Sequence, residues 1–511
     1  MKHFLFISIA LLVSSISALG QAKYDYVWLF GRYEEDTTSG YEFGGSRVDF
    51  NFDPPEVSRF DLPVDFDFTE ISMVSDSMGM LQLYTNGCSL INHENLLIEN
   101  GDSINPGEVY DEYCALGNGY PTAQSSIMLP LPGSNHIYYM FHLGVDEGLH
   151  IRHFRYTVVD MSKNNGLGAV LEKNQLVFDT LNFGQQMTAV RHANGRDWWL
   201  ILPHGHTNFD SGSSNRYFKF LFSPDGIKGP TRQDIGDGWG AQYWSGQATF
   251  SPDGTKYVRL NPTQGMRMFD FDRCTGEFSN PRSIYYPNET VTACGVSFSP
   301  NSRFLYASLG DLIVQYDTWS NNIEASRVTV AVYDGFMSPL GTRFYQHMLA
   351  PNGKIYISVP FVSANVLHVI HHPNLQGLAC AVEQHGLVLP TLHEWLVPNF
   401  PHFRLYDLPG SICDTLGIDT PTGEVAKTTN HAKVWPNPAS HELHLSLTLP
   451  ATMPATLWLF NAMGQVVQHW DLSVGQQEQS FSLAGLAEGM YFWNVESEGR
   501  PVGSGKLIIT K

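Results

Sequence analysis

At 511 residues, 43% hydrophobic and 16% charged, the chain can bury a large core and hold more than one domain, and aromatics at 13% with 46 Gly and 29 Pro favour short strands and tight turns over helices. A net charge of −20 without a basic patch excludes nucleic acid and anionic membrane surfaces as partners. Calcium and neutral carbohydrate stay compatible with that balance, which is equally what a soluble exported protein needs in order to stay dispersed.

Residues 1–20 carry Lys2, an apolar run from Phe4 to about Val13 and the small stretch Ala18-Leu19-Gly20 before Gln21, the pattern of a secretory signal peptide. Ser14, Ser15 and Ser17 cut the run short of the roughly 18 to 20 apolar residues of a membrane span, and no later segment could cross a bilayer.

Across residues 21–412 one phrase keeps returning: FSPDGTKYV from Phe250, FSPNSRFLYAS from Phe298, LAPNGKIYISV from Leu349, VRHANGRDWWL from Val190 and LPLPGSNHIYYMF from Leu129. In FSPDGTKYV, Pro252 fixes φ, Asp253-Gly254 accepts the positive φ of a tight turn, and Tyr257-Val258 resumes a strand, so the phrase predicts a β-hairpin. Turns near Gly79, Ser134, Gly195, Gly254, Ser302 and Gly353 recur roughly every 50 to 60 residues, a period that holds about four strands per unit. Such units bury one face against the next, and a ring removes their exposed edges, so the expected class is all-β and the architecture a β-propeller.

Six units are visible, and residues 24–30 pairing with residues 403–406 in one sheet would close a seventh blade. Six or eight blades stay open, because the first unit, up to about Asn118, is long and irregular. FSPDG at Phe222 breaks the spacing and is placed on an outer strand's exit. The outer phrases MFDFDRCTGEFSNP and VQYDTWSNN alternate aromatic and Asp residues, which puts apolar side chains between blades.

Six cysteines in an exported chain, none in a CxxC pair, predict structural disulfides rather than a zinc site or a thiol nucleophile. Sequence neighbours are the expected partners: Cys88 with Cys114, Cys274 with Cys294, and Cys380 with Cys413.

The phrases LQLYTNGCSLINHENLLIENG, AQSSIMLPLPGSNHIYYMF, TAVRHANGRDWWLI and FSPNSRFLYAS resemble those of exported Bacteroidetes propeller proteins over most of residues 24–410. That resemblance implies the fold and no particular activity.

Residues 413–432 turn polar and Thr/Gly-rich without periodicity and read as a linker. Residues 433–511 then alternate in short strands separated by turns, enough for a small Ig-like β-sandwich entered at Pro436 and Pro438. This segment resembles the type A C-terminal sorting domain of the type IX (Por) secretion system, through the Pro436-Asn437-Pro438 motif and the alternating leucines after it, the turn at Gly464, the Leu-x-x-Gly-x-Tyr element with Gly489 and Tyr491, and the terminal Lys511. Trp435 and Met463 stand where that family more often has other residues. The resemblance implies handling by the type IX machinery, passage through the periplasm to the cell surface or the medium, and removal of the domain afterwards.

No GxSxG, HExxH, P-loop or EF-hand loop is present; HENLL at His93, HEWLV at His393, HELH at His441 and GSGK at Gly503 each lack a required residue or spacing. Asp270 and Asp272 share one face of a strand and are expected to end a blade rather than hold a metal. The best remaining constellation is His204 and His206, beyond the apolar strand DWWLIL, with His192 one hairpin arm earlier: two imidazoles at i and i+2 suit a shared metal or a general base. His368, His371 and His372 are weaker candidates, and Trp239, Tyr243 and Trp244 are the aromatics expected to be exposed for stacking on a sugar ring. No cofactor is expected, and calcium is no more than compatible with the acidic charge. Three function classes follow: an exported module binding a glycan or protein without turnover, a propeller enzyme (lyase, glycoside hydrolase or lactonase) whose groups converge on the central channel, or a structural adhesion component. The first is the expected one.

Overall fold

The structure is a computed structural model that describes residues 22–32, 42–66, 71–148, 150–180, 184–205, 213–239, 246–286, 291, 293–360, 364–416, 432–447, 455–461, 466–473, 478–497 and 500–510. The expected signal peptide and most of the expected linker lie outside these residues. Two compact units divide the chain, Met1–Thr420 and Pro421–Lys511.

The first unit holds seven antiparallel sheets among the described residues, each a meander in sequence order. Blade 1 is Val27–Arg32, Gly44–Asp49 and Glu56–Phe60; blade 2 is Ser72–Ser75, Leu81–Thr85 and Leu90–Asn92. Blades 3 to 7 have four strands each and begin with the innermost strands Ser126–Pro130, Thr188–Arg191, Gln247–Phe250, Cys294–Phe298 and His347–Leu349. The second strands Trp198–Pro203 and Phe304–Leu309 are buried at every position, as uninterrupted apolar runs covered on both faces must be, whereas outer strands such as Val328–Val332 are half exposed.

Successive blades touch all round, and Trp28 of blade 1 meets Tyr356 of blade 7 at 5.7 Å between ring centroids, so the seven sheets form a closed propeller. The expected closure by strand pairing is corrected. Residues 24–26 and 403–406 lie side by side, with Tyr24 and Phe403 rings 5.2 Å apart, but they share no ladder. Instead residues 394–404 are held against the first strand of blade 1 by ion pairs at both ends, Arg32 with Glu394 and Arg404 with Asp25, and by Phe400 beside Trp28. Pro398 and Pro401 each lack the N–H that a ladder requires.

The irregular first unit is explained by blade 2, whose third strand runs into a short helix, Glu108–Tyr113, stapled by the Cys88–Cys114 disulfide with Cα atoms 5.6 Å apart. FSPDG at Phe222 does close an outer hairpin, between Ser214–Ser223 and Gly226–Trp239. The segment after it, less strand-like in sequence, is a 14-residue strand that tolerates Pro230 because it is the sheet's outer edge.

Two of the expected disulfides are corrected. Cys274 joins Cys413, while Cys294 and Cys380 are buried free thiols, both pushed up by burial. Cys274 sits in an outer hairpin turn and Cys294 starts the innermost strand of the next blade, so neighbours in sequence are separated across the blade. Cys413 reaches Cys274 because the chain, having closed the ring, runs back over blades 4 and 5, where Leu408 N–H donates to the Ala193 carbonyl and Arg273 to that of Tyr406.

The second unit packs the sheet of Ala432–Trp435, Glu442–Leu447 and Glu478–Ser482 against that of Val466–Leu472, Ala455–Asn461, Gly489–Ser497 and Arg500–Ile509, around Leu443, Leu445, Leu457, Leu459 and Leu507. It is the expected β-sandwich.

Candidate ligand site on the turn face

The recurring phrase folds the same way each time. In all six expected turns the fourth residue's N–H returns to the first residue's carbonyl: Gly79 to Asp76, Ser134 to Leu131, Gly195 to His192, Gly254 to Ser251, Ser302 to Ser299 and Gly353 to Ala350. In four of them the Asn or Asp side chain also caps the N–H two residues on, Asn194 to Arg196, Asp253 to Thr255, Asn301 to Arg303 and Asn352 to Lys354, at 2.9–3.2 Å. Glycine is demanded at two of these positions for a second reason. A Cβ on Gly195 would stand 2.6 Å from the Asp407 nitrogen, and one on Gly254 2.7 Å from Leu405, because the chain end lies across these turns.

Three consecutive turns enclose a pocket of about 430 Å³, with Pro252 and Asp253 from blade 5, Pro300, Asn301 and Ser302 from blade 6, and Leu349, Ala350, Pro351 and Gly353 from blade 7. His402 and Arg404 complete its lining. Arg404 is bidentate to the buried Asp25 carboxylate at 2.5 and 2.8 Å. Burial, and then the Arg404 charge, push His402 down to about 4, against the opposing pull of Asp25, Asp253 and a hydrogen bond to the Phe250 carbonyl. The pocket thus offers a neutral imidazole, one guanidinium edge, the single carboxylate Asp253 and apolar proline faces.

Among the described residues, the side chains around the propeller axis leave little space. Gln124 donates to the Ala248 carbonyl at 2.7 Å and to Asn399 at 3.1 Å, and Asn399 donates to the Ser126 and Met187 carbonyls at 2.8 and 3.1 Å. Gln247 accepts from the N–H groups of Val296 and His347 at 2.9 and 3.0 Å, and Gln346 donates to Gly246 at 3.1 Å. Leu396, Val397 and Pro398 fill what remains, leaving about 10 Å³, too little for any ligand. Gln124, Gln247 and Gln346 were missed in sequence, although they stand at or just before the inner strands of blades 3, 5 and 7, as Gln186 does in blade 4.

The sequence's candidate residues do not converge. His192 is buried in its turn, accepting from Asn194 N–H at 3.0 Å and meeting the Cys274 carbonyl at 3.1 Å, so both ring nitrogens serve the fold. His204 lies at the other end of the strand Trp198–Pro203, roughly 20 Å away at about 3.3 Å per residue, which rules out a metal shared with His192. His206, Tyr243 and Trp244 lie outside the described residues. Trp239 is 1% exposed, not an open stacking platform, and Arg259 covers its ring at 3.7 Å. His368 is buried, His371 pairs with Glu383 at 2.6 Å, and Asp270 forks with Arg282 at 3.0 and 3.1 Å while Asp272 caps the Cys274 turn. Among the described residues, no group of three or more His, Cys, Asp and Glu is placed to hold a metal ion.

In the second unit the Pro436-Asn437-Pro438 motif meets the last strand: Asn437 accepts from Ile508 N–H at 2.8 Å and Ala439 pairs with Ile509. Tyr491 donates to the Ala487 carbonyl at 2.9 Å, closing the turn before Gly489. Gly464 and Lys511 lie outside the described residues.

Residues 433–510 match the secretion system C-terminal sorting domain family. None of the curated proteins matches the chain. Similar solved structures include a protein from Lactobacillus plantarum (10% identity, 72% of this chain and 98% of that one, TM-score 0.44). They also include the periplasmic gluconolactonase of Pseudomonas aeruginosa (12%, 73% and 98%, 0.38) and the Cps50 β-propeller domain of Myceliophteria thermophila (10%, 62% and 88%, 0.36). No helix among the described residues is long and apolar enough to cross a membrane. The chain is a β-propeller protein whose C-terminal domain is a type IX secretion-system sorting domain, sending it to the cell surface or beyond.

Proposed function

We propose that the propeller is an exported binding module that holds a glycan or a protein segment on its turn face, without turning it over. The observation that carries this reading is the pocket of about 430 Å³ assembled from three copies of the repeated turn. A volume in that range suits one or two sugar rings or a few side chains. Its proline faces suit the apolar side of a sugar or a peptide, and its single carboxylate supplies only one of the two acids that glycoside hydrolysis normally uses.

The test is a glycan and peptide array with the full-length protein, with and without calcium, beside a Pro351→Trp variant. Pro351 is half-buried at the pocket wall, and the indole fills the space while leaving the turn's backbone hydrogen bonds in place. Specific binding by the wild type, at least tenfold weaker in the variant, supports the assignment. Steady release of a cleaved product, or binding indifferent to the indole, sinks it.

A further inference from the structure

Between blades 4 and 5, at the end of the sheet opposite the turns, two arginines stand where charge is least welcome. Arg259 and Arg267 are directly paired across neighbouring strands, Lys256–Asn261 and Gly265–Phe271, and each is 2% exposed. Like charges in that register repel, and each buried guanidinium carries a desolvation penalty of several kcal/mol unless a counter-charge offsets it. Neither forms an ion pair with a described carboxylate. Asp237 is close enough to Arg267 for its charge to be felt, but it forms no ion pair with it, and its Oδ2 accepts from Ser283 at 2.7 Å and Tyr285 at 2.9 Å.

The polar partners they do have are neutral. Among the described residues, Arg259 Nε donates to Gln186 Oε1 at 3.0 Å, the guanidinium also reaches the Tyr217 hydroxyl, and Nη2 has no partner; Arg267 Nη1 donates to the Gln264 and Met266 carbonyls at 3.0 and 3.2 Å, and Nε has no partner there. Trp239 lies flat against Arg259 at 3.7 Å and within 5.7 Å of Arg267, which satisfies a guanidinium face but leaves its N–H edge free. Gln186, which orients Arg259, is held at a φ of +80°, a conformation a non-glycine residue keeps only when its surroundings impose it. Its amide nitrogen is tied to the Leu260 carbonyl at 3.0 Å, so the side chain is locked in the direction that aims Arg259.

We propose that Arg259 and Arg267 form an oxyanion site, taking a carboxylate or sulfate group against the free guanidinium edges with Trp239 as its wall. Water satisfies an N–H but not two like charges, whereas an oxyanion does both, and the guanidinium fork matches its geometry. The site is independent of the turn-face pocket, so either stands if the other fails.

The experiment follows thermal unfolding of the full-length protein at constant ionic strength, replacing chloride stepwise by sulfate, acetate or glucuronate. It is run on the wild type, on Arg259→Met and Arg267→Met, and on Arg259→Lys as the charged variant most certain to fold. Sulfate stabilises proteins generally by exclusion, so the measure is a saturable rise in melting temperature that the wild type shows and the variants lose. A rise with every oxyanion assigns the site to the bare group, and a rise with glucuronate alone assigns it to an acidic sugar. A wild type that responds to no oxyanion beyond chloride, or variants that keep the full response, overturns the proposal. A saturable change in tryptophan fluorescence that Trp239→Phe abolishes locates the site, and a change that persists in Trp239→Phe places the anion elsewhere and refutes it.

Discussion

At the interface between blades 5 and 6, Gln247 accepts from Val296 N–H, Asp253 N–H donates to Ser302 Oγ at 3.1 Å, and Val258, Leu260, Met266 and Met268 pack on Val296, Leu305, Ala307 and Val314. At the seam between blades 7 and 1 the contacts are of another kind: Ser46 and Thr391 hydroxyls 2.6 Å apart, aromatic edges around Trp28, and the two ion pairs that clasp residues 394–404. The first interface joins two copies of one repeat and needs only uncharged groups in matching positions. The second joins chain ends that share no ladder, so it depends on individual side chains and their ionisation.

Acid should separate the two most strongly. His347 and His368 are held down to about 3 and His402 to about 4, all chiefly by burial, and His393 is lowered for the same reason. All four belong to blade 7 or the closing segment; outside them, the fully buried His142 of blade 3 is also near 3. The groups facing them, His385 and Asp334 beside His368, Glu394 beside His393, and Arg404, Asp25 and Asp253 around His402, do not overcome the burial. Because folding depresses these values below the ordinary 6.5, the neutral forms contribute stability that is complete above pH 6.5 and is lost as pH falls toward 4 and 3. His347, His368 and His402 each cost on the order of 2 kcal/mol by pH 5. Hydrogen exchange at pH 5 should therefore open residues 394–404 before the innermost strands of blades 5 and 6. Simultaneous opening of both would mean that the seam is no weaker.

The disulfides sharpen the same contrast. Cys274–Cys413 closes 139 residues and ties the chain beyond the closing segment to blade 5, whereas Cys88–Cys114 closes 26 within blade 2. The chain-entropy model gives about 5 kcal/mol for the long loop and about 3.5 for the short one. Cys413→Ser should lower the urea midpoint more than Cys114→Ser, and the reverse order would show that fastening the chain beyond the closing segment adds little to the ring's stability.

A third test removes the clasp itself. Asp25 is 4% exposed in its side chain, and Arg404→Met leaves that carboxylate buried and uncompensated, at about 3 to 5 kcal/mol. Asp25→Asn/Arg404→Met should recover part of the loss in a double-mutant cycle, while additive losses would show that the pair is not coupled.

What could be read from the sequence follows the same division. The turns at Gly195, Gly254 and Gly353 were legible because local φ requirements write themselves into Asx-Gly pairs, those at Gly79, Ser134 and Ser302 because variants of the same phrase recur, and the sorting domain because its motif is contiguous. The plug at residues 396–399, the Cys274–Cys413 bond and the Arg404–Asp25 clasp were not, since each joins positions more than 100 residues apart with no shared pattern. The histidines at 192, 204 and 368 looked like candidate ligands only because burial is invisible in a single sequence; two of them lie in the core and His204 at a strand end far from His192.

The smallest effect lies in the regular interface. Ser302 occupies the position that is glycine in the neighbouring turns, at a φ of +61° where they have +72° and +76°, and its hydroxyl accepts the Asp253 N–H across the blade boundary. Two opposing terms of about 1 kcal/mol meet there: the strain of a Cβ in the left-handed region and the hydrogen bond that the hydroxyl supplies. Ser302→Ala keeps the strain and loses the bond, so it should destabilise by about 1 kcal/mol. Ser302→Gly loses both and should be nearly neutral. Urea unfolding resolves the difference, and equal destabilisation by the two variants would mean that the turn carries no strain and that the hydroxyl alone accounts for serine there.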